Sequence, residues 1–123
     1  GSLSAFCGAV SAGAGSSAGI TYLLGGTEEQ IANAVSNTLA IASGIICDGA
    51  KPSCAAKISI SVDAAIMASK MALSGNNFNG GEGIVMDDVE ETISNVGRIG
   101  RIGMKETDIE ILNMMIGKSD VLK

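Results

Sequence analysis

The sequence predicts an all-α fold, a compact bundle of about five helices around a small-residue central helix. Apolar residues recur at helical spacing in several segments. The apolar residues are mostly Ala, Ile, Val, Leu and Met, with two Phe, one Tyr and no Trp. Small side chains of this kind suit close packing of helix on helix. At 123 residues the chain has the length of one domain, and we treat residues 1–123 as a single domain.

The first two predicted helices lie on either side of a Gly-Gly pair. Residues 4–24 consist largely of Gly, Ala and Ser and predict the small-residue helix. The tetrapeptide TEEQ at 27–30 has the form of a capping box, in which a threonine and a glutamine exchange hydrogen bonds with the first-turn backbone. The apolar residues behind it are spaced helically, so residues 28–43 predict an amphipathic helix that ends at Gly44.

The third predicted helix begins in a segment with an ambiguous pattern. KISISVD alternates polar and apolar residues as a half-buried strand does, but AAIMASKMAL follows, and Ala and Met favour a helix. We therefore predict one helix over 54–73, with Ser53 as its N-cap. The next segment, SGNNFNGGEG at 74–83, predicts a mobile loop.

Two further helices are predicted in the last third of the chain. The segment MDDVEETISNVGRIGR at 86–101 begins with acids and ends with arginines, the order that the helix dipole favours. Thr107 and Glu110 are spaced as a second capping box, ahead of a final apolar stripe. Arg98 and Arg101 could clamp a carboxylate or phosphate, or serve only as partners of the helix dipole.

Composition excludes several classes of function. The net charge of −5 argues against nucleic acid as a partner, since phosphate binding needs clustered Lys and Arg. Residues 1–26 are uncharged and long enough to span a bilayer, but seven Gly and five Ser dilute their hydrophobicity, and no basic cluster flanks them. We expect no membrane span, no signal peptide and a cytoplasmic location.

Gly13, Gly15 and Ala18 match a dinucleotide-binding fingerprint, but the match lacks its structural context. That fingerprint needs a preceding strand and an acidic residue about 20 positions later. Position 35 is instead a valine within a predicted helix. We therefore predict that these residues belong to a helix and bind no nucleotide.

The three cysteines are the residues most suggestive of chemistry. The chain has no His, which removes the commonest general base, and it offers fewer ligands than the four of a structural zinc site. Three thiolates suit an iron-sulfur cubane that keeps one iron open. Cys54 follows a predicted N-cap, where the helix dipole stabilises a thiolate. The residues alone leave three alternatives open: metal ligands, buried free thiols, or a disulfide between Cys47 and Cys54 in air-exposed material.

Three segments resemble a known family. They are FCGAVSAGAGSSAGITYLLGG, CDGAKPSCAAKISISVDAAIMASKMALSG and ETDIEILNMMIGK. Together they resemble the C-terminal part of the L-cysteine desulfidase family, which is related to the alpha chain of iron-sulfur L-serine dehydratases. The resemblance implies a [4Fe-4S] cluster held by Cys7, Cys47 and Cys54. It also implies β-elimination of a small amino acid, L-serine or L-cysteine, to pyruvate and ammonia.

Three polar residues lie in the turn between the last two cysteines. Asp48, Lys51 and Ser53 are candidates for contacts to the cluster ligands or to substrate, because they are close to those cysteines in sequence. The alternative is that they are ordinary turn residues. The sequence offers no catalytic residue that we assign within this chain.

Full members of that family are longer than 123 residues. We therefore expect this domain to be the C-terminal cluster-binding domain of a longer enzyme, with the base supplied by an N-terminal portion or a partner chain. The isolated chain is then expected to be inactive, and a homo-oligomer is compatible with this picture. The alternative is a non-catalytic helical interaction module whose free cysteines are buried.

Overall fold

Five α-helices form the protein in a computed structural model, which describes residues 4–117. A π-helical turn at Ile99–Gly103, here called the π-turn, joins the fourth helix to the fifth. Within the described range, pairing of extended backbone is confined to one antiparallel bridge between Phe6 and Ile46. The all-α prediction is therefore confirmed. The helices are α1 (Gly8–Leu23), α2 (Glu28–Ala42), α3 (Pro52–Leu73), α4 (Val89–Arg98) and α5 (Lys105–Met115).

The first three helices pack against one another, and α4 packs on α2. Small residues allow this close packing, since the core of α3 is formed by Ala64, Ala65, Ala68 and Ala72. A Cβ atom added to Gly13 would lie 2.9 Å from the Ser61 carbonyl oxygen, so α1 and α3 meet backbone to backbone at this position. The opposite face of α1 is exposed in the described structure, which makes α1 less enclosed than the sequence suggested.

Hydroxyl side chains are buried in the same interface and are satisfied by backbone carbonyls. Ser69 Oγ donates to the Ser17 carbonyl oxygen at 3.1 Å, and Thr21 Oγ1 donates to the same oxygen at 2.8 Å. Among the residues described, every buried side-chain nitrogen and oxygen has a hydrogen-bond partner. The polar residues of α1 and α3 are therefore compatible with a dry interface, because a buried polar group is costly only when it is unpaired.

One of the three predicted caps is confirmed. Thr27 and Gln30 form the predicted capping box, with bonds of 3.2 and 2.9 Å. Ser53 is not the N-cap of α3, because the helix begins two residues earlier, with Lys51 as N-cap and Pro52 at the first helical position. Proline is favoured there because its fixed φ suits a helix and its missing N–H would have no partner.

The second predicted capping box, at Thr107 and Glu110, is also wrong. The N-cap of α5 is Met104, and it makes no side-chain capping bond. Met104, which follows the π-turn, has φ −93° and ψ 9°, whereas the N-cap residue of a capping box has an extended backbone. The chain passes from the π-turn through Met104 directly into α5, without an extended residue between them. Thr107 therefore lies inside the helix and not at its N-cap.

The loop between α3 and α4 is anchored by one side chain of α2. Asn37 is buried, its Nδ2 donates to Asn77 Oδ1 at 3.1 Å, and its Oδ1 accepts from the Phe78 amide at 3.3 Å. Further along the loop, the backbone and side chain of Asn79 donate to Glu82 and lower the pKa of that carboxyl. The glycine-rich composition predicts a mobile loop, but the structure holds it through these contacts.

The remaining sequence predictions concern α1 and α3. The alternating KISISVD segment is helical, as predicted. Gly13, Gly15 and Ala18 lie within α1 and not at a strand-to-helix turn, which agrees with the argument against a nucleotide fingerprint. Across the part of the chain that the structure covers, no helix combines the length and the apolarity that crossing a bilayer requires.

Candidate metal centre

The bridge between Phe6 and Ile46 brings two cysteine-bearing segments side by side. The Cys7 amide donates to the Ile45 carbonyl oxygen at 3.1 Å, and the Cys47 amide donates to the Ala5 carbonyl oxygen at 2.6 Å. Residues 5–7 therefore run antiparallel to residues 45–47. Because side chains alternate along extended backbone, this register directs Cys7 and Cys47 to the same face, opposite Phe6 and Ile46.

The third cysteine lies in the first turn of α3. The Cys54 amide donates to the carbonyl oxygen of the N-cap, Lys51, at 2.8 Å. Cys54 is therefore at the positive end of the helix dipole, as expected, although it lies two residues deeper in the helix than the Ser53 cap implies. Cys7 is itself the N-cap of α1, so two of the three thiols belong to residues at helix N-termini.

Lys57 links α3 to the segment that carries Cys47. Its Nζ donates to the Ile46 carbonyl oxygen at 2.8 Å and to Asp48 Oδ1 at 2.6 Å. These two acceptors flank Cys47 on either side. Lys57 also follows Cys54 by three residues, so the two side chains lie on the same face of α3. One ammonium group therefore connects the surroundings of two cysteines.

Asp48 lies between two lysines. Lys51 Nζ contacts its Oδ2 at 2.5 Å, while Lys57 holds Oδ1. Hydrogen bonds from Lys51 and then from Lys57 lower the pKa of Asp48 to about 2. The hydrogen bond to Asp48 raises the pKa of Lys57.

Glycine and methionine shape the turn that follows Cys47. Gly49 has φ +97°, a left-handed conformation that explains the glycine of the CDGA sequence. A Cβ atom at this position would lie 2.9 Å from Met115 Cε, so the end of α5 covers the turn. The last helix therefore contacts the segment between Cys47 and Cys54.

The three sulfurs do not form a metal-binding group in this arrangement. Between residues 4 and 117, no three Cys, His, Asp or Glu side chains lie close enough together to hold one metal ion. Cys7 is buried, with 3% of its surface exposed, in an apolar cluster with Val10, Leu39 and Val96. All three cysteines are free thiols, so the structure has no Cys47–Cys54 disulfide.

The predicted turn residues have different surroundings. Asp48 and Lys51 form the ion pair described above, while Ser53 is exposed in the first turn of α3. Sequence reasoning missed Lys57, although its position one helical turn after Cys54 is a signal that could have indicated it. Its acceptors on the 46–48 segment could not be deduced, because they depend on how α3 packs.

The fold and the site define an all-α domain that carries three free thiols near one lysine. Comparison with known families then gives a specific assignment. The chain belongs to the serine dehydratase alpha chain family, which matches residues 1–113. The resemblance based on the cysteine segments is confirmed at this level.

Relatives among curated proteins cover nearly all of this chain. A UPF0597 protein of Desulfitobacterium hafniense is 55% identical over 118 residues, which is 96% of this chain and 27% of the relative. A UPF0597 protein of Lachnoclostridium phytofermentans is 57% identical over 116 residues, or 94% and 28% of the two chains. The chain therefore spans just over a quarter of the length of these relatives, whose names state no activity. No solved structure matches the chain.

Proposed function

We propose that this chain is the [4Fe-4S] cluster-binding domain of a lyase that eliminates water or hydrogen sulfide from L-serine or L-cysteine, giving pyruvate and ammonia. The observation that carries the proposal is the bridge between residues 5–7 and 45–47. It places Cys7 and Cys47 on adjacent segments even though two helices separate them in sequence. Family membership supports the lyase class.

The donor set fits an iron-sulfur cluster better than a zinc ion. The ligands on offer are three thiols, Cys7, Cys47 and Cys54, without any histidine. When bound by three thiolates, a cubane keeps one iron that can act as a Lewis acid toward the hydroxyl or thiol and the carboxylate of the substrate.

Residues around the thiols would hold the ligand segments in place. Lys57 bonds to the backbone carbonyl of Ile46, just before Cys47, and to the side chain of Asp48, just after it, so it ties α3 to both neighbours of Cys47. Its positive charge also offsets the negative charge that thiolate ligands bring together. Lys57 is therefore proposed as a positioning residue, and Asp48 as the anion that orients it.

The rest of the active site is proposed to come from another part of the protein. The chain has no histidine, and Asp48 is a weak base because hydrogen bonds from Lys51 and Lys57 lower its pKa to about 2, so the base is expected elsewhere. The match covers 27% and 28% of these two relatives, so most of each relative lies outside the matching region. We propose that this portion, or a partner chain, supplies the base in the cytoplasm.

An exposed apolar face on α3 supports such a partner. Ile58, Val62 and Ile66 recur every four residues and are 54%, 42% and 39% exposed. Contiguous exposed apolar residues often mark a protein–protein contact. This face is therefore proposed to pack against the portion that completes the active site.

Anaerobic reconstitution tests the cluster assignment. The folded chain is incubated with iron and sulfide, desalted, and assayed for bound iron, bound sulfide and visible absorption. We expect one cluster per chain in the wild type and none in the Cys7→Ser, Cys47→Ser, Cys54→Ser triple variant. A wild-type chain that retains no iron would contradict the proposal.

The burial of Cys7 favours a second candidate function, a non-catalytic helical module. Its cysteine would then serve as a small apolar core residue. This candidate predicts that single Cys→Ala changes alter stability only modestly and that iron is never retained. Thiol alkylation without metal separates the two, since a buried Cys7 stays protected while a site able to open for cluster loading reacts.

A further inference from the structure

A groove of about 630 Å³ lies between α1, α2 and α4, away from the ion pairs of Asp48. Its volume is within the range of about 300–1,000 Å³ typical of small-molecule sites. The walls are mainly apolar, and Ser4 and Phe6, near the start of the described chain, are among the residues that line them. The apolar side chains that line it are Phe6, Ala14, Val35, Leu39, Ile93 and Val96.

Two polar side chains that have no hydrogen-bond or ion-pair partner among residues 4–117 line this groove. Arg101 lines it and is exposed, and it forms no ion pair with any residue that the structure describes. Ser11 lines it from α1 and is also exposed. An arginine offers several N–H donors in a plane that matches a carboxylate. The groove therefore combines apolar walls with an arginine that no described carboxylate pairs.

The π-turn is the element that carries this arginine. Gly100 and Arg101, both in the π-turn, line the groove. A Cβ atom at Gly100 would lie 3.2 Å from Ser4 Oγ, and that hydroxyl donates to the Gly100 carbonyl oxygen at 2.6 Å. Ser4, which precedes α1, thus holds the π-turn beside the groove through this hydrogen bond. Single π-helical turns are rare and occur frequently at functional sites.

Two glycines help to keep the groove open. Gly15 on α1 and Gly97 on α4 both line it, and a Cβ atom added at either position meets nothing within 4 Å. Both residues lie in regular helices with ordinary backbone angles. A larger side chain at these positions would therefore enter the groove without straining the backbone.

We propose that this groove binds a small amphipathic anion, a carboxylate with an aliphatic tail. The carboxylate pairs with Arg101, and the tail packs on the apolar walls formed by α1, α2 and α4. The substrates of the proposed lyase are small and polar, so they do not account for an apolar cavity of this size. The inference is therefore independent of the cluster.

The proposal is tested by titrating the 123-residue chain with two probes that have the same aliphatic tail and opposite charge. The probes are decanoate and decyltrimethylammonium, and amide chemical shifts in NMR spectra report binding. The net charge of −5 favours the cation at non-specific sites, so preference for the anion requires a local positive charge. We expect decanoate to bind at least about 10-fold more tightly, with shifts concentrated in residues that line the groove.

Three variants locate the site. Gly97→Leu and Gly15→Leu fill the groove from opposite walls, and either is expected to abolish decanoate binding while circular dichroism stays unchanged. Arg101→Gln should weaken decanoate at least about 10-fold, whereas Arg98→Gln, an arginine outside the groove lining, should change it less than about 2-fold. Equal binding of both probes, or full decanoate binding in a folded Gly97→Leu variant, would overturn the proposal.

Discussion

Lys57 is the residue whose position explains most about the cysteine site. It joins α3 to the segment around Cys47, whereas Lys51 contacts the same carboxylate from a more exposed position. The side chain of Lys57 is 21% exposed and that of Lys51 is 45% exposed. The two lysines share the Asp48 partner, but only Lys57 also bonds to backbone, at Ile46. They therefore form a matched pair for experiment.

Lys57→Met is expected to destabilise a reconstituted cluster, because residues that orient metal ligands typically contribute about 10–100-fold to metal affinity. The measurement is the rate at which an iron chelator removes iron from the loaded protein. Lys51→Met is the control and should change that rate less than about 2-fold, since an exposed ion pair contributes little.

The metal-free protein provides a second measurement for Lys57→Met. Hydrogen exchange of the Cys47 amide, bonded to the Ala5 carbonyl oxygen, should accelerate in this variant. This readout separates the role of Lys57 from the existence of the cluster. Unchanged exchange in Lys57→Met would show that the lysine does not hold this segment.

The Asp48 ion pairs should contribute to stability only when the carboxyl is ionised. Its pKa is lowered from 3.8 to about 2, so the folded state favours the carboxylate. The contribution is fully present above the unfolded pKa and is lost as the pH falls toward the folded pKa. We expect the wild type to have a higher Tm than Asp48→Asn at about pH 6, and the difference to disappear between about pH 4 and pH 2. A difference that is constant over this range would contradict the assignment.

At the scale of elements, the contact between α1 and α3 depends on the absence of a side chain at position 13. The Ser61 carbonyl oxygen and Cβ lie 2.9 and 3.2 Å from where a Cβ atom at Gly13 would be. Backbone cannot yield as a flexible side chain does, so even a methyl group forces the helices apart. Glycine at position 13 is therefore a steric requirement of this crossing.

Gly13→Ala is expected to lower the free energy of unfolding by about 1–3 kcal/mol, because overpacking displaces the backbone. Gly15→Ala, two residues along the same helix, is the control. Its Cβ atom would meet nothing within 4 Å, so the gain in helix propensity should raise stability by up to about 1 kcal/mol. Urea unfolding followed by circular dichroism measures both. If the Gly13→Ala protein were as stable as the Gly15→Ala protein, the contact between α1 and α3 would have room for a methyl group, which would contradict this prediction.

Structural features that depend on neighbouring residues could be predicted from the sequence. Features that depend on contacts between distant residues could not. The capping box of Thr27 and Gln30 is formed by neighbours in sequence, so the start of α2 was predictable. Asn37 instead fixes a loop about 40 positions away through hydrogen bonds that no local pattern encodes. Lys57 was missed for the same reason. Cys7 and Cys47 could be identified as candidate ligands from their residue type. That the bridge between Phe6 and Ile46 brings their segments together could not be predicted.

At the scale of the whole molecule, α3 presents an exposed apolar face at Ile58, Val62 and Ile66. The chain spans just over a quarter of the length of its curated relatives. Large apolar side chains exposed together on one helix face often mark a surface that another protein segment covers. The cysteine site lies at the N-terminal end of the same helix, so the two regions are structurally connected.

A double variant, Ile58→Lys and Val62→Lys, tests this surface. Because both side chains are exposed, the free energy of unfolding of the isolated chain should change by less than about 0.5 kcal/mol. Binding of a dye that fluoresces on apolar surfaces should fall. The double variant Ala65→Lys and Ala68→Lys, at buried positions of the same helix, should unfold the chain. Large destabilisation by the exposed-face variant would show that these residues belong to the core.

The bridge between Phe6 and Ile46 has a consequence for how the thiols become neighbours. The two paired segments lie before α1 and after α2, so their pairing closes a loop of chain that contains both helices. Closing a loop of this length has an entropic cost that only the packing of those helices can offset. A substitution that loosens the packing of α1 on α2 is therefore expected to separate Cys7 from Cys47, even where it lies far from both sulfur atoms, and so to imitate the loss of a ligand of the proposed cluster.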